Sequence, residues 1–335
     1  MSSPILSICL PTRNSARFLE PRLKSILNQT FDEWHVVVVD TSSTDGTLDM
    51  IRDLIPEAKR TMCTSDPGLY QAWNSCVSHS TGELIHFATS DDCENASFYE
   101  KLISIYRATQ CDMVHSVWGT IDEPGREVRM PATPMVRLFG CVPSRVYRKD
   151  PVANFLANLL LATTAGPSNS ALLKRDLFCR FGGFPSNYGA IGDRGWYLRA
   201  SLAATTYCLD ETLAYWRVRS GQATIGYGRF DFYRQEASII PDTLDQMHLD
   251  LEKADLTEVQ RSFVTAFASK NRRLVVARRT FLLKLALLYP DKLVHALTKL
   301  LGPNYAPLWF ARIRLRALLS GRARSIPLEK LQTSD

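Results

Sequence analysis

A strand-like stretch at residues 34–40, with the sequence WHVVVVD, places the strongest constraint on how this chain folds. Its apolar residues follow one another without alternation, so both faces of the strand would be buried, as in a mostly parallel sheet covered by helices. Short β-rich runs of this kind alternate with amphipathic helical patterns over residues 5–118. The series predicts a Rossmann-like, doubly wound α/β sheet whose ligands bind at the carboxyl ends of the strands.

The same patterns predict the elements and the division of the chain. Strands are predicted for residues 5–10, 34–39, 60–64, 83–89 and 112–118. Helices are predicted for residues 16–29, 45–54, 69–79, 97–109 and 193–203, a hairpin near 123–126, and mostly helical structure from 241 to near 302. We divide the chain into a first half at 1–115, a second half at 116–235 and a helical, basic extension at 240–335.

Positive charge is concentrated near the end of the sequence. The chain has a formal charge of +6, yet residues 270–324 contain thirteen Lys or Arg and one acidic residue, Asp291. These basic residues are interspersed with Leu and Val at helical spacing, which predicts an interfacial helix on an anionic membrane surface. The alternative is the solvated face of a helical subdomain. Nucleic acid is not the expected partner, because few stacking aromatic residues lie among the charges.

The cysteines and the apolar runs indicate the compartment. Eight cysteines are scattered without a C-x-x-C pair, which favours free thiols in a reduced compartment. The apolar run near the N-terminus is short and lacks a basic leader, so we interpret it as a strand rather than a signal peptide. No apolar stretch reaches the ~20 residues of a membrane-spanning helix. We expect a cytoplasmic protein, with the basic extension on the inner face of the cytoplasmic membrane.

Acidic residues follow three of the predicted strands: Asp40, Asp66 and the adjacent pair Asp91 and Asp92. Carboxyl ends of parallel strands meet at one edge of a sheet, so we expect these side chains to converge. Converging carboxylates repel unless a cation or ligand compensates, and oxygen-only sites suit Mg²⁺ or Mn²⁺. We predict a divalent cation between Asp91, Asp92 and a nucleotide diphosphate. The alternatives are an ordinary turn at Asp40 and a helix cap at the Asp pair.

Several segments together resemble one enzyme family. They are LPTRN at residues 10–14, SILNQTF at 25–31, VVVVDTSSTDGT at 36–47 and the run from SDPGLYQAWN to TSDD at 65–92. Over roughly residues 4–220 the chain resembles the inverting family-2 glycosyltransferases, which have the GT-A fold. The resemblance implies transfer of a sugar from a nucleotide-diphosphate sugar, with a UDP-sugar favoured. The acceptor would be a glycan or a lipid-linked molecule in cell-surface polysaccharide or glycolipid synthesis.

The resemblance also implies a donor site in the first half of the chain, with the second half binding the acceptor. The implied nucleotide-binding residues are Pro11, Arg13, Asp40, Asp66, Asn74, Ser90 and Asp91, and the implied metal ligands are Asp91 and Asp92. Arg13 stands where Tyr is common, but its planar guanidinium can stack on a base. Thr89 stands where the first Asp of a D-x-D motif is common, which leaves the direct metal ligand open between Asp91 and Asp92.

Inversion at the anomeric carbon requires a base that takes the proton of the acceptor hydroxyl. In the family this base follows a G-G-F segment, found here at residues 182–184, and stands second in a Glu-Asp element, which here reads Gly192-Asp193. The resemblance therefore implies that Asp193 is the catalytic base. The alternative is that Asp193 caps the helix that follows.

The segment YWRVRSGQAT at residues 215–224 resembles the closing segment of the family, in which a basic residue approaches the diphosphate. Arg217 or Arg219 would stabilise the leaving diphosphate, as positioned cations do where charge develops. Solvated loop charges are the alternative for both.

Two other functions are consistent with parts of the sequence. Thr89, Gly192 and Arg219, the last of which stands where His is common, depart from the family at three expected functional positions. These departures would fit a GT-A relative that binds nucleotide sugars without catalysis. A sugar nucleotidyltransferase is the third candidate, but it needs a Gly-rich, basic N-terminal loop that this sequence lacks.

Overall fold

The computed structural model describes residues 4–128, 145–151, 154–155, 158, 168–220, 222, 229–253, 256–258, 261, 265, 326–328 and 330. The strands are β1 (Leu6–Thr12), β2 (Trp34–Asp40), β3 (Arg60–Thr64), β4 (Leu84–Phe87), β5 (Cys93–Glu94), β6 (Met113–Ile121), β7 (Arg145–Arg148), β8 (Ala171–Lys174), β9 (Thr206–Arg217) and β10 (Ile326–Pro327). The helices are α1 (Ala16–Leu27), α2 (Thr47–Leu54), α3 (Leu69–Ser78), α4 (Phe98–Thr109), α5 (Asp176–Phe181), α6 (Gly192–Ala203), α7 (Arg229–Gln246) and α8 (His248–Lys253).

The first half of the chain forms the parallel part of the sheet. β1 lies between β2 and β4, and β3 lies beyond β2, all in parallel. The valines of β2 alternate between two cores: Val36 and Val38 pack on one face of the sheet, and Val37 and Val39 on the other. A strand buried on both faces is what WHVVVVD predicts, and the α/β fold is confirmed.

The sheet continues beyond β4 in an arrangement that the sequence did not predict. Its order is β3-β2-β1-β4-β8-β6-β9-β7-β10, and β5 pairs with β9. β8 lies antiparallel to both β4 and β6, whereas β6 and β9 are parallel. The strands predicted at 83–89 and 112–118 are consecutive among the predicted strands, but β8, which was not predicted, lies between β4 and β6 in the sheet. Four residues, ALLK, are too few for their periodicity to distinguish a strand from a helix.

Helices cover both faces of the sheet. Leu19 and Leu23 of α1 and Leu102 of α4 pack on one face, and residues of α3, α5 and α6 pack on the other. α7 and α8 form a third cluster against α6, which contains Leu198 and Leu244. Across these layers, Tyr70 of α3 contacts Asp193 in the first turn of α6.

Two predictions for the second half can be compared with the structure. The predicted hairpin is confirmed by a bridge between Ile121 and Glu127. Helix α7 begins at Arg229 and includes Pro241, whereas the sequence predicted helical structure only beyond this proline. A proline removes one main-chain hydrogen bond, and burial of Ile240 and Leu244 on either side compensates.

The basic segment 270–324 lies outside the described residues, so its helices and its membrane role stay predictions. In the described part of the chain, no helix combines the length and the apolar character needed to cross a bilayer.

Candidate functional site

An open cavity of about 670 Å³ lies where β1 and β4 end, beside the first turns of α1 and α3. Six predicted site residues line it: Pro11, Arg13, Ser90, Asp91, Asp92 and Arg219. The remaining lining residues are Thr12, Asn14, Ser15, Arg17, Phe18, Thr41, Gly68, Leu69, Ala72, Thr89, Trp216 and Gln222. The loops that follow β1, β2, β3 and β4 therefore meet at one cavity, as expected for a doubly wound sheet.

The carboxylate of Asp40 joins two turns rather than facing this cavity. It accepts hydrogen bonds from Thr12 Oγ1 at 2.8 Å, from the main-chain N–H of Ser43 at 2.8 Å and from Ser43 Oγ at 2.6 Å. Asp40 is 2% exposed and is absent from the cavity lining, although its neighbour Thr41 belongs to it. Asp40 thus fixes the positions of Thr12 and of the turn after β2, which supports the turn-forming alternative.

Asp66 and Asn74 also lie away from the cavity wall. Asp66 is exposed, two residues before Gly68. Asn74 binds the main chain of Phe184: its Nδ2 donates to the carbonyl at 2.9 Å, and its Oδ1 accepts from the N–H at 2.8 Å. These bonds anchor the loop that leads to α6.

The predicted convergence of three acidic strand ends is thereby corrected. The strand ends do meet, but among the described residues only Asp91 and Asp92 bring carboxylates to the cavity wall. The described residues contain no group of three or more His, Cys, Asp or Glu side chains placed to hold a metal.

Asp91 forms an ion pair with the guanidinium of Arg219. Arg219 Nε donates to Asp91 Oδ2 at 2.7 Å, and the guanidinium lies 4.7 Å from the centre of the Phe18 ring. Both members of this ion pair line the cavity. A ligand entering the cavity therefore meets a fixed positive group beside a carboxylate, rather than a solvated loop charge.

Asp92 is the buried member of the pair, with 2% exposure. Its Oδ1 accepts from the main-chain N–H of Arg217 at 2.7 Å, and its Oδ2 accepts from Thr89 Oγ1. Burial and the charge of Asp91 raise the pKa of Asp92 to about 7. Thr89, which stands where the first Asp of a D-x-D motif is common, thus donates a hydrogen bond to Asp92.

These two carboxylates fit a small oxygen-ligated cation. Mg²⁺ is commonly held by one or two carboxylates, with substrate phosphates and water completing its coordination. Asp91 Oδ1 accepts no hydrogen bond from any described residue, whereas both oxygens of Asp92 are engaged. The donor set fits Asp91 as the direct ligand, with Asp92 in support. Arg219 would then remain paired with Oδ2 of Asp91 while Oδ1 binds the metal ion.

Arg217 has a different position from the one predicted. Its side chain is buried, and its guanidinium donates to three main-chain carbonyls: Asp91 at 2.6 Å, Asp122 at 3.0 Å and Glu123 at 2.8 Å. It does not line the cavity. The prediction of a diphosphate contact is corrected for Arg217, which holds the loops around the site together. Arg219 lines the cavity, and its contact with a diphosphate stays a prediction.

Asp193 lies in the first turn of α6, outside the cavity lining. Its Oδ1 is 2.9 Å from the Tyr70 hydroxyl, which is also 2.9 Å from the carbonyl oxygen of Ala190. Burial raises the pKa of the Asp193 carboxyl, and the bond to Tyr70 opposes that shift. Tyr70 was not among the predicted site residues. Its place inside SDPGLYQAWN was a signal, but nothing local shows that it reaches a residue 123 positions away.

The position before Asp193 has no room for a side chain. A Cβ atom on Gly192 would lie 2.0 Å from the carbonyl oxygen of Pro185 and 2.8 Å from Tyr70 Cε2. Trp196, one turn further along α6, is 1% exposed and stacks on Phe178 with ring centres 4.8 Å apart. It belongs to the core of the sheet face that α3, α5 and α6 cover.

The parallel strands of the first half, the antiparallel insertion of β8 between β4 and β6, and the cavity at the strand ends with its Asp91–Arg219 ion pair define an α/β protein of the GT-A class. Residues 7–176 match the profile described as glycosyl transferase family 2, and the chain belongs to this family.

Individual relatives cover less of the molecule. A PGL/p-HBAD biosynthesis glycosyltransferase from Mycobacterium bovis is 37% identical over 103 residues, which is 30% of this chain and 39% of that protein. The chain spans about half, or less, of the length of the curated relatives it matches first.

Two solved structures share the fold. S. aureus TarS, in complex with UDP-GlcNAc, has a TM-score of 0.58 at 19% identity and covers 94% of this chain and 89% of that chain. The mannosyltransferase PcManGT from Pyrobaculum calidifontis, in complex with GDP-Man and Mn²⁺, has a TM-score of 0.51 at 18% identity, with 97% and 87% covered.

Proposed function

We propose that this chain is an inverting glycosyltransferase that takes a sugar from a nucleotide-diphosphate sugar, in the first instance a UDP-sugar. The observation that carries the proposal is the cavity at the strand ends, where Asp91 and Arg219 form an ion pair in the wall. TarS and PcManGT, which share the fold, are solved with UDP-GlcNAc and GDP-Man, and this supports a nucleotide-sugar donor.

Each cavity residue suits one part of such a donor. The exposed guanidinium of Arg13 can stack on the base, and it forms no ion pair with a described acidic side chain. Arg219 can bind the diphosphate by charge-assisted hydrogen bonds. Ser15 and Ser90, whose hydroxyl oxygens are 3.1 Å apart, offer neutral donors to the ribose or the phosphates.

In the proposed reaction the Asp193 carboxylate takes the proton of the acceptor hydroxyl. The acceptor oxygen forms a bond to the anomeric carbon while the bond from that carbon to the diphosphate breaks. The electron pair of the broken bond goes to the diphosphate, where Arg219 stabilises the added charge. Attack opposite the leaving group inverts the anomeric configuration.

Asp91 and Asp92 would hold a divalent cation, Mg²⁺ or Mn²⁺, when the donor is bound. The cation would neutralise part of the diphosphate charge. PcManGT is solved with Mn²⁺, which supports the choice of ion.

The proposed acceptor is a glycan or a lipid-linked molecule, and the enzyme would work in the cytoplasm at the inner face of the cytoplasmic membrane. The support for this part is the basic segment 270–324. Replacing Arg272, Arg273, Arg278 and Arg279 by Gln in the full chain should reduce binding to anionic vesicles. Equal binding by the variant and the wild type would contradict the membrane proposal.

The transferase proposal is tested by a panel of sugar nucleotides with Mn²⁺ and candidate acceptors. We expect release of nucleoside diphosphate that depends on the acceptor, and NMR should show inversion at the anomeric carbon. Saturable donor binding without release would favour a catalytically inactive binding protein. Release of pyrophosphate from a nucleoside triphosphate would favour a nucleotidyltransferase.

A further inference from the structure

The Tyr70 hydroxyl stands between two acceptors at equal distance. Asp193 Oδ1 and the carbonyl oxygen of Ala190 both lie 2.9 Å from it. A phenol has one proton to donate and can also accept, so its bonding must follow the state of its neighbours. When Asp193 is ionised, the Tyr70 O–H can point at the carboxylate. When Asp193 is protonated, its O–H can point at Tyr70 while the Tyr70 O–H turns to Ala190.

We propose that Tyr70 is a positioning residue for the transfer reaction, which holds the Asp193 carboxyl in the same place before and after it takes the acceptor proton. This inference deepens the proposed function and depends on Asp193 acting as the base. Only a hydroxyl proton has to rotate between the two states, so the base needs no rearrangement of heavy atoms as its charge changes.

The packing around Tyr70 explains why its hydroxyl is fixed. Tyr70 is 3% exposed, and its ring lies 5.6 Å from the Trp73 ring and 5.9 Å from the Phe184 ring. The ring also lies against Gly192, where a Cβ atom would be 2.8 Å from it. Glycine at position 192, where the family commonly has Glu, therefore lets the tyrosine approach the base.

Helix α3 connects this base to the donor cavity. Leu69 and Ala72 of its first turn line the cavity, while Tyr70, from the same turn, reaches α6. The helix thus relates the position of Asp193 to that of the bound donor.

The hydrogen bond to Tyr70 should also affect the protonation of Asp193. The titratable and charged groups that face this carboxyl from the described elements are Tyr70 of α3 and Arg194 and Tyr197 of α6 itself. Burial raises the pKa of Asp193, and the Tyr70 bond lowers it because it favours the ionised form. Without the hydroxyl the pKa should rise, so the base would be lost at a higher pH.

The test compares the pH dependence of kcat in Tyr70→Phe and wild type. Tyr70→Phe keeps the ring packing and removes the hydroxyl, so we expect the acid limb to move up by about one pH unit, with a fall in kcat and little change in donor KM. A fluorinated tyrosine at position 70 should shift the limb to lower pH, because its hydroxyl is a stronger donor. Tyr188→Phe is the matched control, since it removes a 2.6 Å bond to Asp242 from the loop that precedes α6.

The outcomes separate the inference from the function on which it depends. An acid limb that does not move in Tyr70→Phe, or that moves equally in Tyr188→Phe, overturns the positioning role. Full turnover in Asp193→Asn overturns the base assignment, and the role of Tyr70 with it. An inactive Asp193→Asn together with an unshifted Tyr70→Phe leaves the proposed function standing and rejects only this inference.

Discussion

Two partly buried carboxylates, Asp91 at the end of β4 and Asp193 at the start of α6, differ in the partner that holds them. Asp91 is paired with the Arg219 guanidinium at 2.7 Å. Asp193 is held by the neutral Tyr70 hydroxyl at 2.9 Å. A cation stabilises the charged form of a carboxylate far more than a hydroxyl does. The first arrangement places a positive group in the cavity wall where an anionic ligand can bind, and the second suits a group that must gain and lose a proton.

The strongest test of this difference removes the proton acceptor. Asp193→Asn should lower kcat by about 100-fold to 10,000-fold, the usual contribution of a general base. Donor affinity should be unchanged, because Asp193 lies outside the cavity lining. Steady-state kinetics and calorimetric titration with the donor measure the two quantities. Asp242→Asn, which alters an Asp–Tyr pair elsewhere, is the control. Near-normal turnover in Asp193→Asn would end its assignment as the base.

Removing the Arg219 guanidinium from Asp91 should change the binding of both the nucleotide and the metal ion. Arg219→Gln should weaken binding of UDP or the donor by about 10-fold to 100-fold, as loss of a hydrogen bond to a charged group does. Mn²⁺ without nucleotide should bind more tightly than to wild type, because Asp91 is no longer neutralised. Calorimetry measures both. Arg52→Gln, which breaks the exposed pair with Asp49, should change neither. Weaker Mn²⁺ binding in Arg219→Gln would contradict competition for Asp91.

Replacing Gly192 by Glu, the residue common in the family beside Asp193, should lower both stability and kcat. Gly192→Glu would place a Cβ atom 2.0 Å from the Pro185 carbonyl oxygen. Such overpacking should lower the free energy of unfolding by about 1–3 kcal/mol, and kcat should fall because Tyr70 is displaced. Denaturant unfolding measures the stability. Ser186→Glu adds the same charge at an exposed position of the preceding loop and serves as control. A Gly192→Glu variant more active than wild type would refute the steric argument.

The smallest expected effect concerns the pH dependence of stability. The folded pKa of Asp92, about 7, lies above its ordinary value of 3.8, so the folded protein keeps this proton when the unfolded chain has lost it. Its contribution to the free energy of unfolding is present below pH ~4 and is lost as pH rises through ~7. With chelator present, the free energy of unfolding of Asp92→Asn should therefore rise relative to that of wild type by about 1–2 kcal/mol between pH ~4 and ~8. A difference that stays constant with pH would contradict this.

Local patterns predicted the first half of the fold well. The predicted strand at residues 60–64 matches β3, and the predicted helix at 97–109 differs from α4 by one residue. The order of the doubly wound half follows a simple rule: β2 and β3 each lie beside the preceding strand, and β4 lies on the other side of β1. The second half departs from this rule, because β8 enters between β4 and β6 from a distant part of the chain. No periodicity in ALLK indicates that pairing.

The site shows the same division. Asp91, Asp92 and Arg219 were predicted and line one cavity. Asp40 and Asn74 share the predicted neighbourhood, but their polar atoms are engaged by Ser43 and by Phe184. Residue type and strand end predict where a side chain starts, and the hydrogen bonds formed on folding decide where it points.

By itself the sequence determined the α/β class, the parallel half of the sheet and the family, because buried strands and short motifs are local properties. Tertiary structure alone decided that Arg217 supports loops while Arg219 meets Asp91, and that Tyr70 reaches Asp193. The physical reason is that hydrogen bonds and ion pairs act over about 3 Å, and residues far apart in the chain reach that distance only after the sheet has formed.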